Sequence, residues 1–207
     1  MSILTEWGIT PQQLTELLEE NPSLRGMLLG YVAELKLKEI VTSISHVSYT
    51  VKYDDHNRKK KGDLYIIYRD KAFDLESKSL QSSMIKWDEN KKRWTGKAQV
   101  DGSDRRTVSL PDGSTLQTTL LLRDEFDILA VNCYAFEGEW RFVFARNRDL
   151  PSSNYRLYSE EQRRFLIASL IPVSWPPEPP FYAELRALLD EMIDDGEGTN
   201  PLDLGSE

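Results

Sequence analysis

Asp63, Glu76 and Lys78 are the residues of this 207-residue chain whose types and spacing can do chemistry. They flank a stretch that reads as two short strands around a tight turn. Leu64 to Tyr68 is apolar and rich in strand formers, Arg69-Asp70-Lys71 is polar, and Phe73 to Ser79 alternates. A hairpin centred between Asp70 and Lys71 sets Asp63 opposite Lys78 and Tyr65 opposite Glu76. Side chains alternate along a strand, so Asp63, Glu76 and Lys78 then share one face. Leu64, Ile66, Phe73 and Leu75 share the other, which is the expected core face. A turn shifted by one residue would separate the three polar groups.

Two carboxylates beside an ammonium suit a hard divalent cation. Mg²⁺ (or Mn²⁺) keeps several waters and takes one or two carboxylates from a protein. Such a cation polarises a phosphoryl oxygen and acidifies a bound water. The lysine can hold the attacking water or offset charge on the phosphate. The plain alternative is a solvated polar face of an antiparallel hairpin.

The elements that must position these residues follow in order. Thr10-Pro11-Gln12-Gln13 is a helix start, with Thr as N-cap, Pro at the first helical position and Gln three after the cap. Leu14, Leu17 and Leu18 form its apolar stripe. A second helix is expected from Ser23 to Thr42, with Leu24, Met27, Leu28, Tyr31, Val32 and Leu35 at helical spacing. Glu34 borders that stripe, where pairing with Lys38 at i+4 is one reading. Ser45 to Tyr53 reads as a strand. The basic loop Arg58-Lys59-Lys60-Lys61 then leads to Asp63. It is either a solvated turn or a holder of backbone phosphate.

Beyond Lys78, the segment Ser79 to Gly96 interleaves Lys86, Lys91, Lys92 and Arg93 with Trp87 and Trp94. It can stack on bases or simply anchor two tryptophans on the core. Lys97 to Val100 reads as a strand, and Arg105 and Arg106 are candidate phosphate contacts. A turn is expected at Leu110-Pro111-Asp112-Gly113-Ser114. Leu116 to Leu122 leans towards a helix. Asp127 to Phe136 is a buried apolar strand and Trp140 to Ala145 its hairpin partner. Another helix starts at Ser159.

These patterns divide the chain into an N-terminal helix (1–21), a core (22–171), a Pro-rich connector (172–180), an amphipathic helix (181–193) and an acidic tail (194–207) expected to be disordered. The helix over 181–193 can dock on its own domain or on a second subunit.

Composition bounds the function. Hydrophobic residues make up 40% and charged residues 29%, ordinary for a globular chain with a sizeable core. No apolar run approaches a membrane span, and Glu6 and Pro11 interrupt any leader-like start. Cys133 is the single cysteine, which excludes an internal disulfide and a thiolate metal cluster. A cytoplasmic location is expected. The net charge of −8 speaks against a polyanionic partner, but its distribution softens that. Glu184 to Glu207 holds eight acids against Arg186, a balance of −7, so residues 1–183 carry only −1.

The order Asp63, then Glu76-Ser77-Lys78, resembles the PD-(D/E)xK nuclease superfamily, with Gly62 where the pattern has proline. The resemblance covers roughly residues 22 to 150. It implies an α/β fold with a restriction-endonuclease-like core: a central mixed β-sheet flanked by helices. It also implies Mg²⁺-dependent hydrolysis of DNA phosphodiesters by an endonuclease of restriction or repair type. Asp63 and Glu76 would be metal ligands and Lys78 the water-orienting cation. Glu34 would be a further acid at the metal, and Gln99 matches a polar position that often follows the lysine. DNA is the implied partner, contacted by Arg58, Lys59, Lys60, Lys61, Arg105 and Arg106, and a homodimer would cut both strands. The alternatives are a non-catalytic nucleic-acid-binding or assembly subunit on the same fold, and a small nucleotide or RNA processing enzyme.

Overall fold

The computed structural model describes residues 2–52 and 62–201. Helix α1 (Ile3–Glu6) is a single turn. Helix α2 (Pro11–Glu20) starts at the expected capping box: the Gln13 amide donates to Thr10 Oγ1 at 3.2 Å and the Thr10 amide to Gln13 Oε1 at 2.9 Å. Pro22 opens helix α3 (Pro22–Ser43) directly behind Asn21. Strands β1 (Val47–Lys52), β2 (Leu64–Tyr68) and β3 (Lys71–Ser79) follow, then β4 (Lys86–Asp88), β5 (Arg93–Gln99), β6 (Asp101–Ser109), β7 (Thr115–Leu120) and β8 (Ile128–Asn132). The chain closes with α4 (Tyr134–Glu137), β9 (Phe142–Arg146), α5 (Glu160–Arg164), β10 (Leu170–Trp175) and α6 (Leu185–Asp194).

The central sheet has the order β1-β2-β3-β8-β9. Only β3 and β8 run parallel; the other neighbours are antiparallel, so the sheet is mixed. Every residue of β8 and β9 is buried. Alternate residues feed two cores. Ile66, Phe73, Leu75, Ile128, Phe142 and Phe144 pack against Leu37 and Val41 of α3 and Leu185, Leu188 and Met192 of α6. Leu129, Val131, Val143 and Ala145 face Ala98 of β5 and Ile171 and Val173 of β10. Helices thus flank the sheet on one face, and a small sheet of order β10-β5-β4 covers the other. No helix among the described residues is long and apolar enough to cross a membrane.

Several expectations change. The β2–β3 hairpin pivots on Arg69-Asp70, one residue earlier than the polar run suggested, because both residues take positive φ (47° and 63°) and form a tight turn of the hairpin kind. The face assignment survives, since the pairing sum moves by two residues and parity is kept: Leu64 pairs with Leu75 and Ile66 with Phe73 on the core side. Residues 116–122 are not helical. Asp112 Oδ1 accepts from the Ser114 amide at 2.9 Å, and the turn it closes returns Thr115–Leu120 along β6 as a ribbon. The threonines Thr115, Thr118 and Thr119 favour that extended state.

The 172–180 connector is in part strand β10, which lies along β5 from Leu170–Gln99 to Trp175–Trp94. Described residues of the acidic tail are docked, not loose. Asp195 and Glu197 bind Arg146, and Thr199 bridges to Ala72. The apolar stripes of the first two long helices are the largest departure. No residue of α2 is buried, and α3 buries only Ala33, Leu37 and Val41.

Candidate active site

Gly62 and Asp63 lead the chain into β2. Gly62 has φ 75°, and a Cβ there would stand 3.0 Å from the Leu75 carbonyl oxygen. A proline, held near about −65°, cannot take that conformation. The residue before Asp63 is therefore glycine for a local reason. The turn lets the Asp63 amide donate to the Leu75 carbonyl at 2.8 Å. It also brings Asp63 Oδ2 to accept from the Ser77 amide at 2.7 Å. Asp63 is thus fastened across to the strand that carries the other two groups.

On β3, Glu76 and Lys78 are two residues apart and point the same way. Lys78 Nζ lies 2.6 Å from Glu76 Oε1, with side chains only 21% and 13% exposed. Burial pushes the Glu76 acid up to about 7; Lys78 pulls it down, and Asp63 and Glu125 push it up again. Burial alone would lower Lys78, but Glu76, Asp63 and Asp101 outweigh it and raise the ammonium's pKa overall. The three expected residues form one electrostatic cluster, and within it burial outweighs the Lys78 ammonium in setting the Glu76 acid.

Around the cluster stand Arg106, which the sequence reading assigned to phosphate, and Glu125 and Asp101, which it missed. Arg106 forks onto Glu125: Nη1 meets Oε1 and Nη2 donates to Oε2 at 2.5 Å, while the same Oε2 accepts from the Leu122 amide at 2.8 Å. This pairing, with help from Glu76, raises the Arg106 pKa. Arg106 is therefore a half-buried brace and not an open phosphate contact as expected. The neighbouring Arg105 is exposed on the ribbon. The usable signal for Glu125 was the acidic run Asp124-Glu125 ahead of apolar β8, the parallel neighbour of β3. Nothing in the sequence marks Asp101.

Glu34 projects from α3. It pairs with Lys52 of β1 at 2.7 Å, not with Lys38. Glu34 and Asp63 line one cavity of about 280 Å³, together with Tyr31, Lys38, Lys52 and Leu64. Asp63 lines that cavity and also acts by its charge on both Glu76 and Lys78. Gln99 is exposed at the end of β5; Gln81 Nε2 donates to its Oε1 at 2.5 Å, and its own Nε2 donates to Asp101 Oδ2 at 3.4 Å. Asp101 in turn raises the Lys78 ammonium by its charge, which links Gln99 to the cluster. Arg58, Lys59, Lys60 and Lys61 lie outside the described residues.

A metal held by Asp63, Glu76 and Glu34 together was expected. Among the described residues no group of three or more His, Cys, Asp or Glu side chains is placed to hold a metal ion. Glu34 is turned to Lys52 instead. What remains is the pair of carboxylates Asp63 and Glu76, fastened to the Ser77 amide and to Lys78 respectively. The set suits Mg²⁺, which retains most of its water, and does not suit a fully protein-ligated ion.

No family model matches the chain, and no curated protein does. Among solved structures, the bacterial homing endonuclease I-Ssp6803I is similar over 68% of this chain and 87% of its own, at 13% identity and a TM-score of 0.36. A likeness that distant bears no weight for fold detail or activity.

Proposed function

We propose that the chain is a metal-dependent nuclease with a restriction-endonuclease-like core that hydrolyses DNA phosphodiester bonds. The supporting observation is the Asp63–Glu76–Lys78 cluster, with a buried carboxyl at about 7 touching a lysine 2.6 Å away. Asp63 and Glu76 would hold Mg²⁺ or Mn²⁺, which would supply Lewis acidity at the phosphoryl oxygen. Ionised Glu76 fixes the Lys78 ammonium, which orients the attacking water and offsets charge on the phosphate. Asp63, anchored on the Ser77 amide, keeps its second oxygen's direction fixed. Glu34 and Lys52 border the same site from α3 and β1.

The closed Glu76–Lys78 ion pair favours one rival: a polar network that serves the fold of a non-catalytic binding subunit. A cleavage assay on supercoiled and linear DNA, run with Mg²⁺ or Mn²⁺ beside calorimetric metal titration, separates the two. For the nuclease, metal binding and cutting are expected together, and both are lost in Glu76→Gln. Lys78→Met is expected to keep the metal and lose cutting by about a hundredfold or more, the scale of one electrostatic stabiliser. Wild-type protein that binds neither Mg²⁺ nor Mn²⁺ refutes the nuclease reading. An RNA substrate in the same assay tests the remaining alternative.

A further inference from the structure

Strands β6 and β7 pair as an antiparallel ribbon rooted in the candidate site. Asp101 opens β6 and acts by its charge on Lys78, while Arg106 forks onto Glu125 and feels the charge of Glu76. The ribbon has two unlike sides. Val108, Leu110, Thr118 and Leu120 are buried, and Thr118 Oγ1 accepts from the Tyr158 hydroxyl at 2.9 Å, which fastens that side to the protein. The opposite side carries Arg105, Thr107, Ser109, Thr115 and Gln117, all exposed.

Beyond Arg105 that outer side bears no charge. In a chain with 29% charged residues it presents four neutral side chains that each donate and accept hydrogen bonds. They stand in two cross-strand rows, Thr107 opposite Gln117 and Ser109 opposite Thr115. Gln117 Nε2 donates to Thr107 Oγ1 at 2.5 Å, so the first row is held in place by its own contact. At the tip, Asp112 is turned back onto the Ser114 amide and hydroxyl at 2.9 and 2.7 Å. Alternate residues of a strand repeat every ~6.8 Å, about two base-pair steps of a DNA duplex at roughly 3.4 Å each. The major groove admits a two-stranded ribbon, and Gln, Ser and Thr are side chains that read base edges there.

We propose that the outer side of the β6–β7 ribbon lies in the major groove of duplex DNA and reads its sequence. Thr107 and Gln117 are the specificity-determining pair, and Arg105 holds backbone phosphate. This rests on the reading that the adjoining site acts on DNA. Base contacts specify and phosphate contacts position, so the two kinds of residue have separable signatures. Because Asp101 and Arg106 belong to the same ribbon, the bases it reads lie at a set distance from the Glu76–Lys78 pair.

The test is selection by the full chain from a pool of duplexes with a randomised centre, without divalent ions, followed by cleavage of the enriched duplexes with Mg²⁺. Wild type is expected to enrich a defined sequence. Thr107→Ala/Gln117→Ala should relax that preference by about tenfold or more at the base pair they contact and leave the salt dependence of binding unchanged. Arg105→Gln should keep the preference and reduce the slope of log affinity against log salt by about 0.9. Both variants should retain the wild-type circular dichroism spectrum and urea midpoint, since every altered side chain is exposed. Wild type that enriches no sequence overturns the proposal, as does a double variant that enriches the same sequence as stringently. A preference lost in the double variant, on duplexes that wild type with Mg²⁺ leaves intact, upholds the ribbon and refutes the nuclease. Cutting by wild type that ignores sequence does the reverse.

Discussion

Glu76 should make the protein less stable as the pH rises through neutrality, opposite to a salt-bridged surface carboxylate. Its acid lies at about 7 in the fold against an ordinary 4.5. The folded chain therefore holds the proton more tightly than the unfolded chain between those values. Stability from this group is fully present below about 4.5 and is lost as the pH rises to 7 and above. Two and a half pH units at about 1.4 kcal/mol each make the full loss roughly 3 to 4 kcal/mol, of which about 3 falls above pH 4.5. The side chain is only 13% exposed, so solvent screening does not reduce this greatly. Lys78 stays charged throughout the window, its own acid being raised. The perturbation is Glu76→Gln, which removes the titration and keeps the shape. Urea unfolding of both proteins at a series of pH values from 4.5 to 8.5, without divalent ions, is the assay. The stability difference, wild type minus variant, should drift by about 3 kcal/mol against wild type across the series. Excess Mg²⁺ at pH 8 should recover part of it in wild type alone, by mass action on the folded state. Parallel curves with no drift would refute the assignment of a strained carboxyl at this position.

Three further outcomes follow from the geometry. Gly62→Ala should lose about 1–2 kcal/mol in urea unfolding, because an alanine must adopt a left-handed backbone and meet the Leu75 carbonyl at 3.0 Å. Loss of no stability there would mean that the turn before Asp63 relaxes freely. Arg146→Met should cost about 3 kcal/mol or more, since the buried guanidinium meets Asp195 at 2.5 Å, Glu191 at 2.7 Å and Glu197 at 2.9 Å. Hydrogen exchange should then rise first in 191–200. Cys133 should resist a thiol reagent in the folded protein and react at once in denaturant, and prompt labelling of native protein would contradict its burial.

Local chemistry was legible where a few adjacent residues decide the outcome. Thr10 and Gln13 cap α2 because both groups lie within one turn, and the β2–β3 faces follow from alternation alone. The grouping of Asp63, Glu76 and Lys78 on one face was legible for the same reason: a tight turn and strand parity bring them together. Partners supplied by distant segments were not. Glu125 reaches the cluster only because β8 lies parallel to β3, and Glu34 chose Lys52 because β1 returns along α3. The tail at 195–199 looked disordered by composition, yet its acids neutralise Arg146 and Arg148 at the end of β9. Leu24, Leu28 and Leu35 read as core because period alone does not say which side of a helix meets the sheet; the smaller residues Ala33 and Val41 flank Leu37 on the side that does.

The placement of α6 has a consequence for synthesis. Leu185, Leu188, Leu189 and Met192 complete the core that β2, β3, β8 and β9 begin. A ribosome that has released the first 180 residues has therefore made the whole central sheet, but one of its faces still lacks half its cover. Phe142 and Phe144, buried in the finished fold, remain wet until α6 emerges. The β9 arginine that will be clasped by Glu191, Asp195 and Glu197 is at that moment an uncompensated cation beside them. The newborn chain carries an open apolar face on its central sheet, and that face closes with the arrival of α6.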